Sequence, residues 1–260
     1  MRAGAVFRNQ IAPSASTAPV VAALFVVECD LDMPLVSIPR PEPQFVVRFG
    51  PSARNGLDVH ALGAGGKVHR KIGRRGQRAV VARLHLGAPE SVLGTPASTI
   101  ADRIVPLEEL WGAAAARRLV DRLFSARDMI EAAAVLQMAI ADRFAAARGR
   151  GDRAQLVLNA AGRLRGAHVS AVAADLGVSE RHLRRVFREA VGVSPKAFTR
   201  LTRFHRALRA AREDGHASWA SIAAAAGYYD QAHLIAEFRA IAGAPPRAFL
   251  NELRAASSLG

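Results

Sequence analysis

Apolar residues change their rhythm along this chain. In the first third they come in short runs and alternations. Beyond Pro89 they recur every three or four positions. Val20–Val27 is an apolar run that reads as a strand. Phe45, Val46, Val47 and Phe49 form a second β-rich segment, bounded by Pro39, Pro41, Pro43 and Gly50-Pro51. Residues 80–86 alternate, which sends Val80, Ala82, Leu84 and Leu86 to a core and Val81, Arg83 and His85 outward. Asp58–Leu62 lies between, followed by Gly63, Gly65 and Gly66 as turn residues. No helical pattern separates these segments, so the sheet is expected to be antiparallel.

The helical rhythm predicts helices over 107–124 and 128–147, with Leu110, Trp111, Leu119, Leu123 and Phe124 facing inward. Gly149-Arg150-Gly151 breaks the pattern. A helix from Arg153 to Leu164 follows, and Ser194-Pro195 starts a long one to about Arg212, with serine as cap and proline in the first turn. The expected fold class is α+β: an irregular leader over 1–19, a β-rich domain over 20–148 ending in two helices, and an all-α domain over 152–255. That last domain has two helix-turn-helix units joined by a long helix.

The two units are a repeat. Residues 168–187 read HVSAVAADLGVSERHLRRVF and residues 218–238 read SWASIAAAAGYYDQAHLIAEF. Each is a short Ala-rich helix, a glycine, and a second helix ending in phenylalanine. Gly177 and Gly227 are the turn glycines, because a tight turn between crossing helices needs positive φ. Ala173 and Ala223, four residues earlier, are small where the helices approach. Val172, Leu176, Val178, Leu183 and Val186 take the inward positions, and Ser179 caps the second helix. The second unit has a longer turn, with its landmark leucine (Leu234) one residue further from the glycine.

That pattern has a common use, the placing of a helix in the major groove of DNA. Arg181, Arg184, Arg185 and Arg188 lie opposite Leu183, Val186 and Phe187, and a guanidinium fork matches guanine or phosphate. A solvated charged face is the alternative. In the second unit Gln231, Ala232, His233 and Arg239 form a face poorer in charge; glutamine can read adenine and alanine can meet a thymine methyl. The connecting helix, about 27 Å long, suits two probes one DNA turn apart. Ser194, Arg200 and Arg203 are expected to anchor phosphates, with Arg206 and Arg209 further along.

Composition sharpens this only in part. Lys and Arg number 36 against 22 Asp and Glu, a formal +14, which favours a polyanionic partner. The excess is spread over both halves, so the motif and not the charge selects the DNA-binding half. Cys29 is the single cysteine, which excludes an internal disulfide and a thiolate zinc cluster and fits a reducing cytoplasm. No apolar run reaches the roughly 18 residues of a membrane span, so no membrane partner is expected. His60, His69 and His85 match no compact metal motif, and no cofactor is expected. The basic run 67–83 reads as a solvated sheet face, with an anion surface as the other reading. Two rival functions remain: a DNA-repair methyltransferase, which would need an activated Cys29 thiolate beside Glu28 and Asp30, and a module whose helix pairs bind protein.

Residues 168–250 resemble the DNA-binding domain of the AraC/XylS family of bacterial transcription regulators. The resemblance rests on Gly227-Tyr228-Tyr229-Asp230-Gln231, then Phe238-Arg239, then Gly243-Ala244-Pro245-Pro246-Arg247-Ala248-Phe249. Val191-Gly192-Val193-Ser194-Pro195-Lys196-Ala197-Phe198 is the matching close of the first unit. It implies a sequence-specific regulator of transcription on double-stranded DNA, with no catalytic residues. Base reading is implied for Arg181, Arg184 and Arg185 in one groove and for Gln231, Ala232, His233 and Ala236 in the next. Ala236 stands where several members have arginine, so the second helix is expected to read less. The N-terminal part is more weakly similar to the β-rich domain of a subgroup, through Phe45–Gly50, Leu84–Leu93 and Ile104–Gly112. Such a domain often senses a small molecule or dimerises. A small-molecule effector, a homodimer and RNA polymerase are therefore the partners the resemblance adds.

Overall fold

The computed structural model describes residues 6–147, 151–213 and 217–258. The predicted break at Gly149-Arg150 lies outside the described residues. The amino-terminal half carries the strands β1 (Val6–Ile11), β2 (Val21–Cys29), β3 (Met33–Ser37), β4 (Gln44–Phe49), β5 (Leu57–Leu62), β6 (His69–Gly73), β7 (Arg78–Leu84) and β8 (Ile104–Pro106). Its helices are α1 (Pro89–Leu93), α2 (Leu107–Trp111), α3 (Ala113–Phe124) and α4 (Met129–Ala146). Six strands form one antiparallel sheet in the order β1-β2-β7-β4-β5-β8, while β3 and β6 pair as a separate ribbon. The ribbon continues β2 and leads back into β7, so it projects from the sheet.

The alternation in β7 orders the core as expected. Val80, Ala82 and Leu84 are fully buried, Val81 and Arg83 are half-buried, and His85 is exposed. They join Phe45, Val47, Leu119, Leu123 and Leu136 in one apolar cluster beneath α3 and α4. Leu86 departs from the expectation: β7 ends at Leu84, and Leu86 packs against the first helix-turn-helix core instead.

Three other expectations are corrected. The leader is not irregular throughout, since β1 pairs with β2 from Val6↔Cys29 to Ile11↔Leu24. The free edge of β2 has backbone groups to satisfy, and this need overrides the weak apolar pattern of the leader. Gln137 of α4 then fixes the following turn, accepting from the Ser14 N–H at 2.6 Å and the Thr17 hydroxyl at 2.9 Å. Second, the predicted helix 107–124 is two helices, because Gly112 adopts φ 80°, ψ 154°, a backbone open to glycine. The restart turns Ala116, Leu119 and Leu123 inward and leaves Phe124 58% exposed at the helix end. Third, the stretch read between strands is itself a strand, β5, paired with β4 and β8.

The carboxy-terminal half is helical: α5 (Gly151–Arg163), α6 (Val169–Asp175), α7 (Glu180–Val191), α8 (Pro195–Glu213), α9 (Trp219–Ala226), α10 (Gln231–Ala242) and α11 (Pro246–Ser258). Two apolar cores serve it. Val157, Leu164, Val172, Leu183, Val186 and Phe187 surround Phe198 in the first. Phe204, Leu208, Ile222, Leu234, Phe238 and Phe249 form the second. Helix α8 contributes to both. The repeat extends to aromatic geometry, since Phe187 meets Phe198 at 5.3 Å and 70°, and Phe238 meets Phe249 at 6.5 Å and 69°. Both are edge-on contacts of the kind aromatic pairs favour.

The two halves touch at both units. Val36, Ile38 and Val68 of the ribbon region pack on the second core. Arg70 of β6 forks onto Glu252 of α11 and donates to the Ala242 carbonyl at 2.7 Å, and the Val68 N–H donates to the Ile241 carbonyl at 2.8 Å. At the first unit, Gly192 ends α7 with φ +92°, and a Cβ there would lie 3.1 Å from the Ala97 carbonyl oxygen. At Gly177, φ +65°, a Cβ would meet nothing within 4 Å. Gly177→Ala is therefore expected to cost about 1 kcal/mol, the left-handed backbone alone. Gly192→Ala should cost about 2–3 kcal/mol, since the contact with residue 97 must also give way. Urea titration of both variants measures the difference; equal losses would show that the contact with Ala97 yields freely.

Candidate nucleic-acid interface

Each unit builds an outward helix on the same local scheme. In the first, Gly177 turns the chain and the Val178 N–H returns to the Ala173 carbonyl at 3.0 Å. Ser179 then caps α7, its hydroxyl accepting from the His182 N–H at 3.2 Å. Leu183, Val186 and Phe187 are buried, whereas Arg181, Arg184, Arg185 and Arg188 are exposed. In the second, Gly227 has φ +85° and the Tyr228 N–H bonds the Ala223 carbonyl at 2.9 Å. Asp230 caps α10, its carboxylate accepting from the His233 N–H at 2.7 Å. Gln231, Ala232, Ala236 and Arg239 are exposed around the buried Leu234 and Phe238. His233 is half-buried, edge-on to the Tyr228 ring at 5.4 Å.

The arginines are not equivalent. Arg184 is ion-paired with Glu180 one turn earlier, and Arg185 with Glu189 at 3.3 Å. Glu189 also holds Arg153 of α5, which reaches Glu90 of α1 at 3.6 Å. Arg181 and Arg188 have no ion pair among the described residues. Arg184, Arg185 and Arg188 line a concavity with Ser98 and Ser194. The expected phosphate anchors on α8 have partners within the second unit: Arg200 pairs with Glu237, and Arg203 lies over the Tyr228 ring at 5.4 Å. The Ser194 hydroxyl accepts from the Ala197 N–H at 3.2 Å and caps α8.

Residues 172–252 match the family described as a helix-turn-helix domain. Residues 172–252 form an AraC-type helix-turn-helix domain, a DNA-binding fold. No curated protein matches the chain. Among solved structures, ToxT from Vibrio cholerae O395 is 10% identical with a TM-score of 0.42, over 88% of this chain and 96% of that one. The same protein bound to (E)-4-(8-methylnaphthalen-1-yl)but-3-enoic acid gives 10% identity and 0.43, over 97% and 100%. ToxT from strain SCE256 with an unsaturated fatty acid bound gives 10% and 0.39, over 95% and 92%. Likeness this distant carries no functional information.

Within the AraC-type domain, sequence reasoning passed over Glu180 and Glu189, although their i, i+4 spacing from Arg184 and Arg185 is a readable signal. It placed Asp230 in the family signature without seeing its cap. Ser98 left no signal, because it comes from the other half of the chain. Outside the domain, the Cys29 thiol is buried, and burial first of all pushes its pKa up, with Lys71 opposing and Asp30 adding to the rise. The acidic neighbours are thus a minor cause, and a buried thiol raised in this way is no activated nucleophile. His60 is buried beside Asp58 at 3.2 Å, while His69 and His85 are exposed on other segments. No group of three or more His, Cys, Asp or Glu among the described residues could hold a metal ion, and no helix there is long and apolar enough to cross a membrane.

Two outcomes follow from these pairings. The buried Tyr228 hydroxyl has no hydrogen-bond partner, so Tyr228→Phe is expected to leave stability unchanged or raise it by up to about 1 kcal/mol. A thermal melt showing a clear loss would mean that the hydroxyl is bonded. Glu180→Gln releases Arg184 and removes an acid from the exposed face. It is expected to tighten binding to random-sequence duplex about twofold, the scale of an exposed helical pair, as read by fluorescence anisotropy; weaker binding would make Glu180 a positioning group that DNA binding needs.

Proposed function

We propose that the chain is a sequence-specific transcription regulator whose α7 and α10 enter adjacent major grooves of double-stranded DNA. The observation that carries this reading is the repeat of one construction at both sites. Each helix is capped at its amino end and is exposed on the face away from its core, and the two cores share α8. At 19 residues, α8 is about 28 Å long, close to one turn of DNA.

In this reading Arg181, Arg184 and Arg185 read base edges in the first groove. Gln231 and Ala232 approach bases in the second, and His233 supports them from its place against Tyr228. Arg188, Ser194, Arg200 and Arg203 lie toward the phosphates between. The carboxylates that hold Arg184, Arg185 and Arg200 in the free protein are partners that phosphates and guanines would replace. The helix richer in guanidinium supplies more of the affinity, and α10 supplies more of the register.

Control by an effector belongs to the same proposal. A cavity of about 730 Å³ lies between the two halves, with Val20, Leu86 and Phe144 on one side and Leu158 and Ala190 on the other. Its size suits a small molecule, and its far wall belongs to α5 and to α7.

Arg184→Ala is expected to lose about 1–3 kcal/mol on the cognate site and to relax one base position, as read by anisotropy titration of single-base operator variants. Equal losses on cognate and random DNA would reassign Arg184 to the backbone. Affinity for any duplex should fall steeply with salt as counterions are released; an affinity indifferent to salt would overturn the DNA-binding reading.

A further inference from the structure

A second cationic site lies on the far side of α8. Arg206, Arg209 and Arg212 of α8, Arg165 after α5 and Arg40 of the β3–β4 connection line one cleft of about 530 Å³. Arg209 is nine positions from Arg200, about half a turn round the helix, so the cleft opens away from the face that Arg200 and Arg203 present to the second unit. None of the five has an ion pair with a described residue. This differs from α7 and α10, where acids answer Arg184, Arg185 and Arg200.

The cleft is built, not incidental. The amino-terminal half is fastened to α8 here, because the His205 ring nitrogen Nε2 meets the Pro39 carbonyl at 2.7 Å, which brings Arg40 to the helical arginines. Burial lowers the His205 pKa, with Arg40 and Arg83 also disfavouring its charged form. Glu42 and Glu213 are the two acids in the lining. One Glu42 carboxylate oxygen is buried with no hydrogen-bond partner. Phe198 and Leu208 give the cleft an apolar floor. Five guanidinium groups facing two carboxylates leave a mutual repulsion that a multiply charged anion would relieve, and planar guanidinium forks suit phosphate oxygens.

We propose that this cleft binds a small anion carrying two or more phosphate groups, bridging Arg40 of one half to Arg206 and Arg209 of the other. A nucleic-acid backbone is the less fitting occupant. The cleft is bounded by both halves of the chain, has carboxylates in its wall, and faces away from the Arg200 side of α8.

Inorganic tripolyphosphate is the probe, titrated calorimetrically into the full chain at fixed ionic strength, with thermal melts alongside. Saturable one-to-one binding and a raised melting temperature are expected, since a ligand of the folded state stabilises it. Arg206→Gln/Arg209→Gln should weaken binding about tenfold or more, the loss of charge-assisted hydrogen bonds. Arg40→Gln, on a connection and not in a helix, should weaken it as well and guards against misfolding of the double variant. Arg184→Gln/Arg185→Gln should stay within about twofold of the parent, as a distant site does. The proposal is overturned if the parent shows no saturable binding, or if all these variants weaken it alike, which is adsorption to a basic surface. It is equally overturned if Arg206→Gln/Arg209→Gln weakens binding of a random duplex as much as Arg181→Gln/Arg184→Gln does, because the cleft would then be part of the DNA surface.

Discussion

Phe198 and Phe204 stand on one helix and belong to two cores. That sharing is the constraint on which the carboxy-terminal half depends. Phe198 is packed by Phe187 of α7, and Phe204 by Phe238 of α10 at 4.7 Å. Each outward helix is therefore keyed to α8 by an aromatic contact in a close-packed interior, where small displacements are costly. The two helices cannot change separation without unpacking a core or bending a 19-residue helix. Their exposed residues belong to neither core, so the frame does not depend on them.

The amino-terminal half reinforces that frame at the ends of the same two helices. Gly192 and Gly243 are the left-handed residues that terminate α7 and α10. Ala97 lies against the first, and Arg70 bonds the last turn before the second. A helix carboxy end has unsatisfied carbonyls and a partial negative charge, so the Arg70 guanidinium is well matched to it. The amino-terminal turns, with their caps and their polar side chains, stay clear of these contacts. In α10 the contact with the amino-terminal half and the capped turn are thus at opposite ends, whereas in α7 Ser98 also shares a concavity with Arg184, Arg185 and Arg188.

Much of this was legible in the sequence, for local reasons. The duplicated glycines, the small residues four before them, Ser179, and Ser194-Pro195 act within a few positions, and the helices begin and turn where they indicate. The alternation in Val80–Leu84 likewise names one face of a strand. Illegible features arise from contacts across the chain. The leader strand exists because β2 has an edge to pair, and Leu86 turns toward a core that lies seventy residues and more further on in sequence. Phe124 was misplaced because a single glycine at 112 resets the helical phase. Among the site residues, the arginine face of α7 could be read from its spacing. The occupation of Arg200 and Arg203 by Glu237 and Tyr228 could not, since it requires knowing how α8 crosses the second unit.

The ribbon of β3 and β6 has a mechanical consequence. It follows directly on β2 and leads into β7, and its far end rests on α10 and α11. The first unit is held instead by loops beside β5 and β8. The sheet thus grips the two units separately, the second through the ribbon and the first through the loop that carries Ala97. A load on either unit passes to the sheet through that unit's own attachment, while α8 passes it directly to the other unit.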